Sequence, residues 1–224
     1  MSEADTLAGS RKSRLRITEI FYSLQGESRP AGYPTAFIRL TGCPLRCHYC
    51  DTEYAFHGGR VMEIADIIQA IAAYQAKFVC VTGGEPLAQP NCLGLLTDLC
   101  DLDYRVSLET SGALDIAEVD QRVNIVMDIK TPASGEHARN RWENLEHLKP
   151  DDQLKFVISD KSDYDWSRKL MSQHQLTERF FVLLSPAWGA ALERGLAEWI
   201  LEDRLNVRFQ IQLHKHIWGD EPGR

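Results

Sequence analysis

The chain has 224 residues, of which 44% are hydrophobic and 25% are charged, a balance typical of a globular protein with a sizeable core. Its 25 basic and 32 acidic residues give a formal net charge of -7, which disfavours nucleic acid as the main partner. No apolar run reaches the ~20 residues that a membrane span needs. Residues 1–16 are polar and lack the apolar stretch of a secretory signal. We therefore expect a cytoplasmic protein with a flexible N-terminal lead over residues 1–16.

From residue 17 onward, apolar β-branched runs alternate with segments of helical period. The predicted strands are Ile17–Ser23, Thr35–Thr41, Lys77–Thr82, Arg105–Glu109, Asn124–Lys130, Gln153–Ser159, Arg179–Leu184 and Val207–Leu213. The predicted helices are Met62–Tyr74, Cys92–Leu99, Arg139–Leu148, Asp163–His174 and Ala190–Asp203. This alternation is typical of βαβ units and a parallel sheet. A closed eight-unit barrel takes ~250 residues, so we predict an α/β fold with an open, partial (βα)6-type barrel, formed by residues 17–224 as one domain.

Polar or glycine-rich loops follow several of the predicted strands, where parallel α/β sheets carry their chemistry. Three cysteines follow the second strand, and Thr82-Gly-Gly-Glu-Pro follows the third. Glu-Thr-Ser-Gly, Asp-Ile-Lys-Thr-Pro and Ser-Pro-Ala-Trp stand at the ends of later strands. This repeated coincidence predicts an enzyme.

The cysteines of the first of these loops are Cys43, Cys47 and Cys50, with the spacing C-x3-C-x2-C. Three thiolates so close together indicate a soft metal centre. A structural zinc site needs four ligands, and His48 or His57 is the available fourth. A cubane iron–sulfur cluster on three cysteines leaves one iron open to a small molecule, and ligand count and spacing favour it over zinc and over reactive thiols. Three further cysteines, Cys80, Cys92 and Cys100, are predicted to be buried small hydrophobes.

The C-x3-C-x2-C loop in this βα context resembles the signature of the radical S-adenosylmethionine superfamily. The resemblance implies that the three cysteines hold a 4Fe–4S cluster, whose open iron binds S-adenosylmethionine and whose electron cleaves the sulfonium to methionine and a deoxyadenosyl radical. Thr82-Gly83-Gly84-Glu85-Pro86 resembles the superfamily's GGEP motif, in which glycine carbonyls and a carboxylate bind the methionine ammonium. Further predicted cofactor contacts, each of which could instead be a helix cap or a surface ion pair, are Glu109, Ser111, Asp128, Lys130 and Ser185.

Four stretches narrow the resemblance to the 7-carboxy-7-deazaguanine synthase family, from about Ile17 to Trp218. They are Leu24-Gln25-Gly26-Glu27, Arg39, Asp51-Thr52 and Gln212-Leu213-His214-Lys215. The resemblance implies conversion of 6-carboxy-5,6,7,8-tetrahydropterin to 7-carboxy-7-deazaguanine with loss of ammonia, in queuosine and 7-deazapurine biosynthesis. It also implies regeneration of S-adenosylmethionine, assistance by Mg2+, a reductase such as a flavodoxin as electron donor, and a homodimer.

The residues of these stretches suit a pterin. Gln25 and the backbone of Leu24 and Gly26 can hydrogen-bond its amide–guanidine edge, and Glu27 can accept from its amino groups. Arg39 offers a fork for the carboxylate. Thr52 is a hard oxygen ligand for Mg2+. The remaining predicted substrate contacts are Asp51, Thr82 and His214.

Other interpretations of these residues stay open at this point. Arg39 could be a strand residue that reaches solvent, Thr52 a helix N-cap and His214 a core histidine. The chain also departs from the family at Ser28, where a glycine is common, at Asp128, where a serine is common, and in the extension over residues 219–224. The alternative functions are a glycyl-radical-enzyme activating enzyme and a non-enzymatic zinc-binding module.

Overall fold

A computed structural model describes residues 13–221 and residue 223, and it contains one nine-stranded sheet. Its strands are β1 Arg14–Leu24, β2 Pro34–Leu40, β3 Arg60–Glu63, β4 Phe78–Gly83, β5 Arg105–Thr110, β6 Asn124–Ile129, β7 Gln153–Ile158, β8 Phe181–Pro186 and β9 Arg208–Phe209. The helices are α1 Ile64–Ala72, α2 Cys92–Asp101, α3 Lys161–Gln173, α4 Leu176–Arg179, α5 Glu193–Glu202 and α6 Leu213–Trp218.

The strands follow the order β3-β1-β2-β4-β5-β6-β7-β8-β9 across the sheet. All neighbours from β2 through β4 to β9 are parallel, whereas β1 is antiparallel to both β2 and β3. Among the described residues the edge strands β3 and β9 do not pair with each other, so the barrel is open. The predicted α/β partial barrel is confirmed, with an antiparallel edge that the prediction did not contain.

The core lies between the sheet and the helices that cover its outer face. Ile67 and Ile71 of α1 and Leu95 and Leu99 of α2 are fully buried, because each helix repeats apolar residues at a spacing of three or four. The opposite face of the strands carries the polar residues, since side chains alternate along a strand. Cys92 and Cys100 are buried in this core, and Cys80 is buried on the other face of β4, beside Gln25 and Glu109. All three are buried, as predicted.

The N-terminal boundary of the sheet differs from the prediction. Strand β1 begins at Arg14, so residues 14–16 belong to the sheet rather than to a flexible lead. Leu15 is 1% exposed, and Arg16 N donates to Gln89 Oε1 at 2.8 Å. Burial of Leu15 and pairing with β3 explain the extension. The rest of the predicted lead, residues 1–12, lies outside the described residues.

Three predicted elements differ from the structure, one of them in type and two in their bounds. Residues 60–63, the last two of which were predicted as helix, form β3 at the edge of β1. Residues 139–148 form short 3-10 turns instead of a helix, because Asn140 and Asn144 hydrogen-bond distant backbone groups of Lys130 and Gly112. The last predicted strand is reduced to β9, and the chain then turns into α6, which carries His214.

Within the described ranges no helix combines the length and the apolar character needed to cross a membrane.

Candidate active site

A cavity opens at the carboxyl ends of the parallel strands, on the face of the sheet opposite the helices. Residues in register on neighbouring strands point to the same side, and two such pairs of polar residues line the cavity. Arg39 lies beside Thr82, and Asp128 lies beside Lys155. The sheet alone therefore aligns cations, carboxylates and hydroxyls from β2 to β8 along one wall.

The cavity brings together almost every predicted site residue. Those that line it are Leu24, Gln25, Gly26, Glu27, Arg39, Cys43, Cys47, Cys50, Asp51, Thr52, Thr82, Gly84, Glu109, Ser111, Asp128, Lys130, Ser185 and His214. Of the predicted site residues, Glu85 does not line the cavity.

The cysteine loop follows β2 and is held in place by two other loops. Gly84 N donates to Leu40 O at 3.2 Å, and a Cβ on Gly84 would come within 2.4 Å of Gly42 O and 2.8 Å of Cys43 Cβ. Only glycine allows this close approach of the two backbones. On the other side, His48 N donates to Ser134 O at 3.0 Å. These contacts present the three thiols to the cavity.

The thiols suit an iron–sulfur cluster. All three cysteines are free and half-buried at the cavity wall. Burial raises the pKa of Cys47 to about 11 and also raises the pKa of Cys43 and Cys50, so the metal-free thiols are protonated and iron must displace their protons. In the described part of the chain no three His, Cys, Asp or Glu side chains converge as one metal ion requires. A cubane does not need such convergence, because each thiolate binds a different iron.

The predicted role of the Glu85 side chain is corrected by the structure. Its carboxylate is fully buried and accepts hydrogen bonds from Leu87 N at 3.1 Å, Thr110 Oγ1 at 2.9 Å and Ser111 N at 2.7 Å. The Ser111 hydroxyl also donates to it at 2.5 Å. These four donors turn the carboxylate away from the cavity, where it fixes the loops after β4 and β5. The backbone of Gly84 is what this motif offers to a ligand.

The wall after β6 keeps polar atoms available for a ligand. Lys130 Nζ lies 3.1 Å from Asp128 Oδ2, whereas the buried Asp128 Oδ1 has no hydrogen-bond partner among the described residues. A buried acceptor without a partner is costly, and a hydroxyl donor such as a ribose would satisfy it. Ser185 on β8 is 2% exposed and lines the same wall. The acceptor on Asp128 and the hydroxyl of Ser185 therefore fit a nucleoside cofactor.

Glu109 lies with the predicted substrate residues. Its carboxylate accepts from Thr82 Oγ1 at 3.1 Å and from Gln25 Nε2 at 3.4 Å. Burial and the neighbouring Glu27 raise the pKa of Glu109. Glu109 was predicted as a cofactor contact, but its hydrogen bonds are to Gln25 and Thr82, which were predicted as substrate contacts.

Arg39 is fixed by partners on two elements. Its Nε lies 2.7 Å from Glu19 Oε1, and its guanidinium lies 5.8 Å from the ring centroids of Phe21 and Tyr54. Burial alone would lower the pKa of Arg39, but Tyr54 and Glu19 raise it above its ordinary value. The side chain is 17% exposed and faces the cavity, so it does not simply reach out to solvent.

Thr52 and Asp51 form a pair of oxygen groups at the end of the cysteine loop. Thr52 Oγ1 donates to Asp51 Oδ1 at 2.8 Å, and Gln212 Nε2 donates to Asp51 Oδ2 at 2.8 Å. Burial alone would raise the pKa of Asp51, but the hydrogen bonds from Gln212 and Thr52 lower it. Thr52 makes no side-chain cap to the following 3-10 turn, so its hydroxyl lone pairs remain for a hard cation.

His214 is placed by the glycine of the Gln25-Gly26-Glu27 stretch. Leu213 N donates to Gly26 O at 3.0 Å, which anchors the start of α6. A Cβ on Gly26 would lie 1.9 Å from His214 Nδ1. Burial lowers the pKa of His214, so the imidazole is neutral at neutral pH. Ser28, two residues after Gly26, has a φ of 62°, in the left-handed region that favours glycine.

Several cavity residues were missed by the sequence analysis. Among them are Phe21, Phe37, Tyr49, Phe56, Lys155, Val157, Trp188 and Gln212. Lys155 carried a usable signal, because it interrupts the apolar run of β7. Trp188 and Gln212 lie in two stretches that the sequence analysis quoted, Ser-Pro-Ala-Trp and Gln212-Leu213-His214-Lys215, but it assigned them no role.

The fold and the cavity define a radical S-adenosylmethionine enzyme. A family model described as the Radical SAM superfamily matches residues 37–133, which include the cysteine loop and the Gly83–Gly84 turn. The fold is similar to that of a crystal structure of QueE from Escherichia coli, with a TM-score of 0.76 and 23% identity, covering 95% of this chain and 99% of that chain.

Two relatives identify the family. The chain is 44% identical over 215 residues to the 7-carboxy-7-deazaguanine synthase of Chlorobaculum tepidum, which covers 95% of this chain and 98% of the relative. It is 36% identical over 209 residues to that of Thermoplasma acidophilum, covering 92% and 99%. The chain belongs to the 7-carboxy-7-deazaguanine synthase family, and its cofactors are those of the family: a 4Fe–4S cluster, S-adenosylmethionine and Mg2+. This membership favours an enzyme of small-molecule chemistry over the activating enzyme and the zinc-binding module.

Proposed function

We propose that the chain converts 6-carboxy-5,6,7,8-tetrahydropterin into 7-carboxy-7-deazaguanine with loss of ammonia. The observation that carries this proposal is the meeting of two residue sets in one cavity. One cavity is lined both by the cysteine loop, with Cys43, Cys47 and Cys50, and by Gln25 and Arg39. These residues come from separate segments of the chain. A radical-generating centre and a site for a flat, carboxylated heterocycle are therefore adjacent.

The cysteines would hold the cluster, and the Gly84 backbone, Asp128 and Lys130 would hold S-adenosylmethionine. When bound, these cofactors supply the radical that removes a hydrogen atom, chemistry that no side chain provides. The chain's own residues bind and orient the substrate. Glu27 accepts from amino groups, Arg39 binds the carboxylate as a fork, and apolar rings exclude water.

The finer partner assignments stay predictions. They are a flavodoxin-like reductase as electron donor, a homodimer, and a cytoplasmic location. The first can be tested by comparing reduced flavodoxin with dithionite as the reductant, and the second by sedimentation of the purified protein.

The direct test of the proposed function is an anaerobic assay of the reconstituted, reduced protein. Carboxytetrahydropterin, S-adenosylmethionine and Mg2+ are supplied, and product is followed by mass and by the deazaguanine chromophore. Formation of 7-carboxy-7-deazaguanine with catalytic rather than stoichiometric use of S-adenosylmethionine is expected. Cofactor cleavage without any pterin product would contradict the proposal.

Arg39→Ala is expected to raise the KM for the pterin by about 10- to 100-fold, because a charge-assisted hydrogen bond contributes ~1.5–3 kcal/mol. Slow cleavage of S-adenosylmethionine in the absence of substrate should persist. The matched control is Arg14→Ala, which removes an arginine of β1 paired with Glu63 outside the cavity. Equal loss of both activities in Arg39→Ala would indicate a disturbed strand instead.

Thr52→Ala is expected to raise the Mg2+ concentration for half-maximal rate by roughly 10-fold or more, because one oxygen ligand is lost. The rate is measured against magnesium concentration at saturating pterin. Thr97→Ala removes a hydroxyl that only contacts Leu93 O within α2, and it should leave the curve unchanged. An unchanged curve for Thr52→Ala would refute the assignment of Thr52 to the metal.

A further inference from the structure

A lysine interrupts the apolar run of β7. Lys155 lies between Leu154 and Phe156 on β7, and both neighbours are fully buried. Its own side chain is 14% exposed and points into the cavity. A charged amine in such a position is unfavourable unless a partner compensates it, so its presence calls for a specific role.

The partner is Glu27. Lys155 Nζ donates to Glu27 Oε2, and the Glu27 side chain is only 9% exposed. Asp128 on the adjacent strand β6 and Glu109 on β5, one strand farther away, also face the ammonium. Burial alone would lower the pKa of Lys155, but Glu27 and these carboxylates raise it. Asp128 is paired with another cation, since Lys130 Nζ lies 3.1 Å from Asp128 Oδ2. The ion-pair partner of Lys155 is therefore Glu27.

The backbone of Glu27 is fixed independently of this ion pair. Glu27 N donates to Gln25 Oε1 at 3.2 Å, and Ser28 Oγ donates to Glu27 O at 2.6 Å. The carboxylate is fixed by Lys155, which occupies Oε2 and leaves Oε1 to accept a hydrogen bond from a ligand. The ion pair thus determines both the direction and the charge of the acceptor.

Four titratable groups face Glu27 from the elements packed around it. They are Lys155 on β7, Asp51 after the cysteine loop, His214 on α6 and Glu109 on β5. Burial and Asp51 alone would raise the pKa of Glu27, but Lys155, with help from His214, lowers it. Loss of the lysine would therefore favour the protonated acid, which presents fewer acceptors to amino groups.

We propose that Lys155 is a positioning residue for the pterin, which holds the Glu27 carboxylate ionised and aims its free oxygen at the amino groups of the heterocycle. This inference rests on the proposed function, since it concerns recognition of the same substrate. Lys155 itself acts through Glu27 and is assigned no contact with the reacting atoms.

The test is the pH profile of kcat/KM for the pterin in Lys155→Met. Kcat/KM reports ionisations of the free enzyme, and its acid limb is expected to move to higher pH by about 1–3 units when the adjacent cation is removed. The KM at neutral pH should rise about tenfold or more, while uncoupled cleavage of S-adenosylmethionine should persist. Lys169→Met, at an exposed position of α3, is the matched control and should behave as the wild type.

Two further variants separate charge from structure. Lys155→Arg keeps the cation and should keep the acid limb near its wild-type position, even if the rate falls. If Lys155→Met does not fold, Lys155→Gln, whose amide can still donate to Glu27, should show the same shift. The inference would be overturned if the acid limb stayed in place in Lys155→Met and Lys155→Gln. It would also be overturned if the acid limb moved as far in Lys155→Arg as in these neutral variants.

A double variant assigns the limb to Glu27 rather than to His214, whose pKa Lys155 also lowers. Once Glu27→Gln has removed the carboxylate, Lys155→Met should move the acid limb no further. A continued shift in that background would assign the limb to His214 and overturn the inference. Failure of the wild type to convert the pterin would instead contradict the proposed function, and the role of Lys155 would fall with it.

Discussion

Cys47→Ala is expected to abolish both deoxyadenosine formation and 7-carboxy-7-deazaguanine formation in the anaerobic assay. The cluster has three protein ligands, so loss of one thiolate leaves two anchors for a group that binds S-adenosylmethionine at its remaining iron. The measurement is product formation after reconstitution with iron and sulfide, together with iron content and the brown charge-transfer absorbance. Retention of wild-type turnover would refute the assignment of the cysteine loop.

The matched control for this variant is Cys100→Ala, the same substitution on α2. Cys100 is buried, 7% exposed, and does not line the cavity. Its thiol acts as a small hydrophobe, so replacement should cost a little stability and leave the iron content and the rate unchanged. Equal loss of iron in both variants would point to a general effect of cysteine replacement during reconstitution, against the specific role of Cys47.

The parts of the fold that follow from local pattern could be predicted from the sequence. The strands β4 to β8 are short apolar or alternating runs with no alternative helical period, so their positions follow from the sequence. Residues 139–148 have a helical period, but side-chain hydrogen bonds to Lys130 and Gly112 override it. Such long-range bonds have no signature in the local sequence.

For the site as well, features that depend on local sequence could be predicted, whereas those that depend on long-range contacts could not. The cysteine spacing and the glycine pair are local features, and the structure places them together in the cavity. Glu85 shows the limit, because its carboxylate is turned inward by Thr110 and Ser111, which are far along the chain. Lys155 shows the opposite case, since a lysine within an apolar strand already indicates a buried ion pair. Its partner, Glu27, could be found only from the three-dimensional structure.

Gly26→Ala is expected to lower kcat/KM for the pterin by on the order of 10²-fold, the scale of a misplacement of about 1 Å at a reacting site. The new methyl group would come within 1.9 Å of His214 Nδ1 and 2.7 Å of its Cγ. The obstacle is a side chain that can rotate, so the protein should still fold while the imidazole leaves its position at the cavity wall. Activity and the thermal midpoint of unfolding, measured together, separate these effects.

The control for this variant is Gly94→Ala within α2. A Cβ there has one neighbour, Ile64 Cδ1, at 4.0 Å, and alanine in a helix is favoured over glycine by about 0.5–1 kcal/mol. Gly94→Ala should therefore be slightly more stable than the wild type and equally active. If Gly26→Ala were also fully active, His214 would not need its position against Gly26, and its predicted substrate contact would be refuted. If Gly26→Ala instead lost activity only in proportion to unfolded protein, the role of Gly26 would be limited to anchoring α6 through the bond from Leu213 N to Gly26 O.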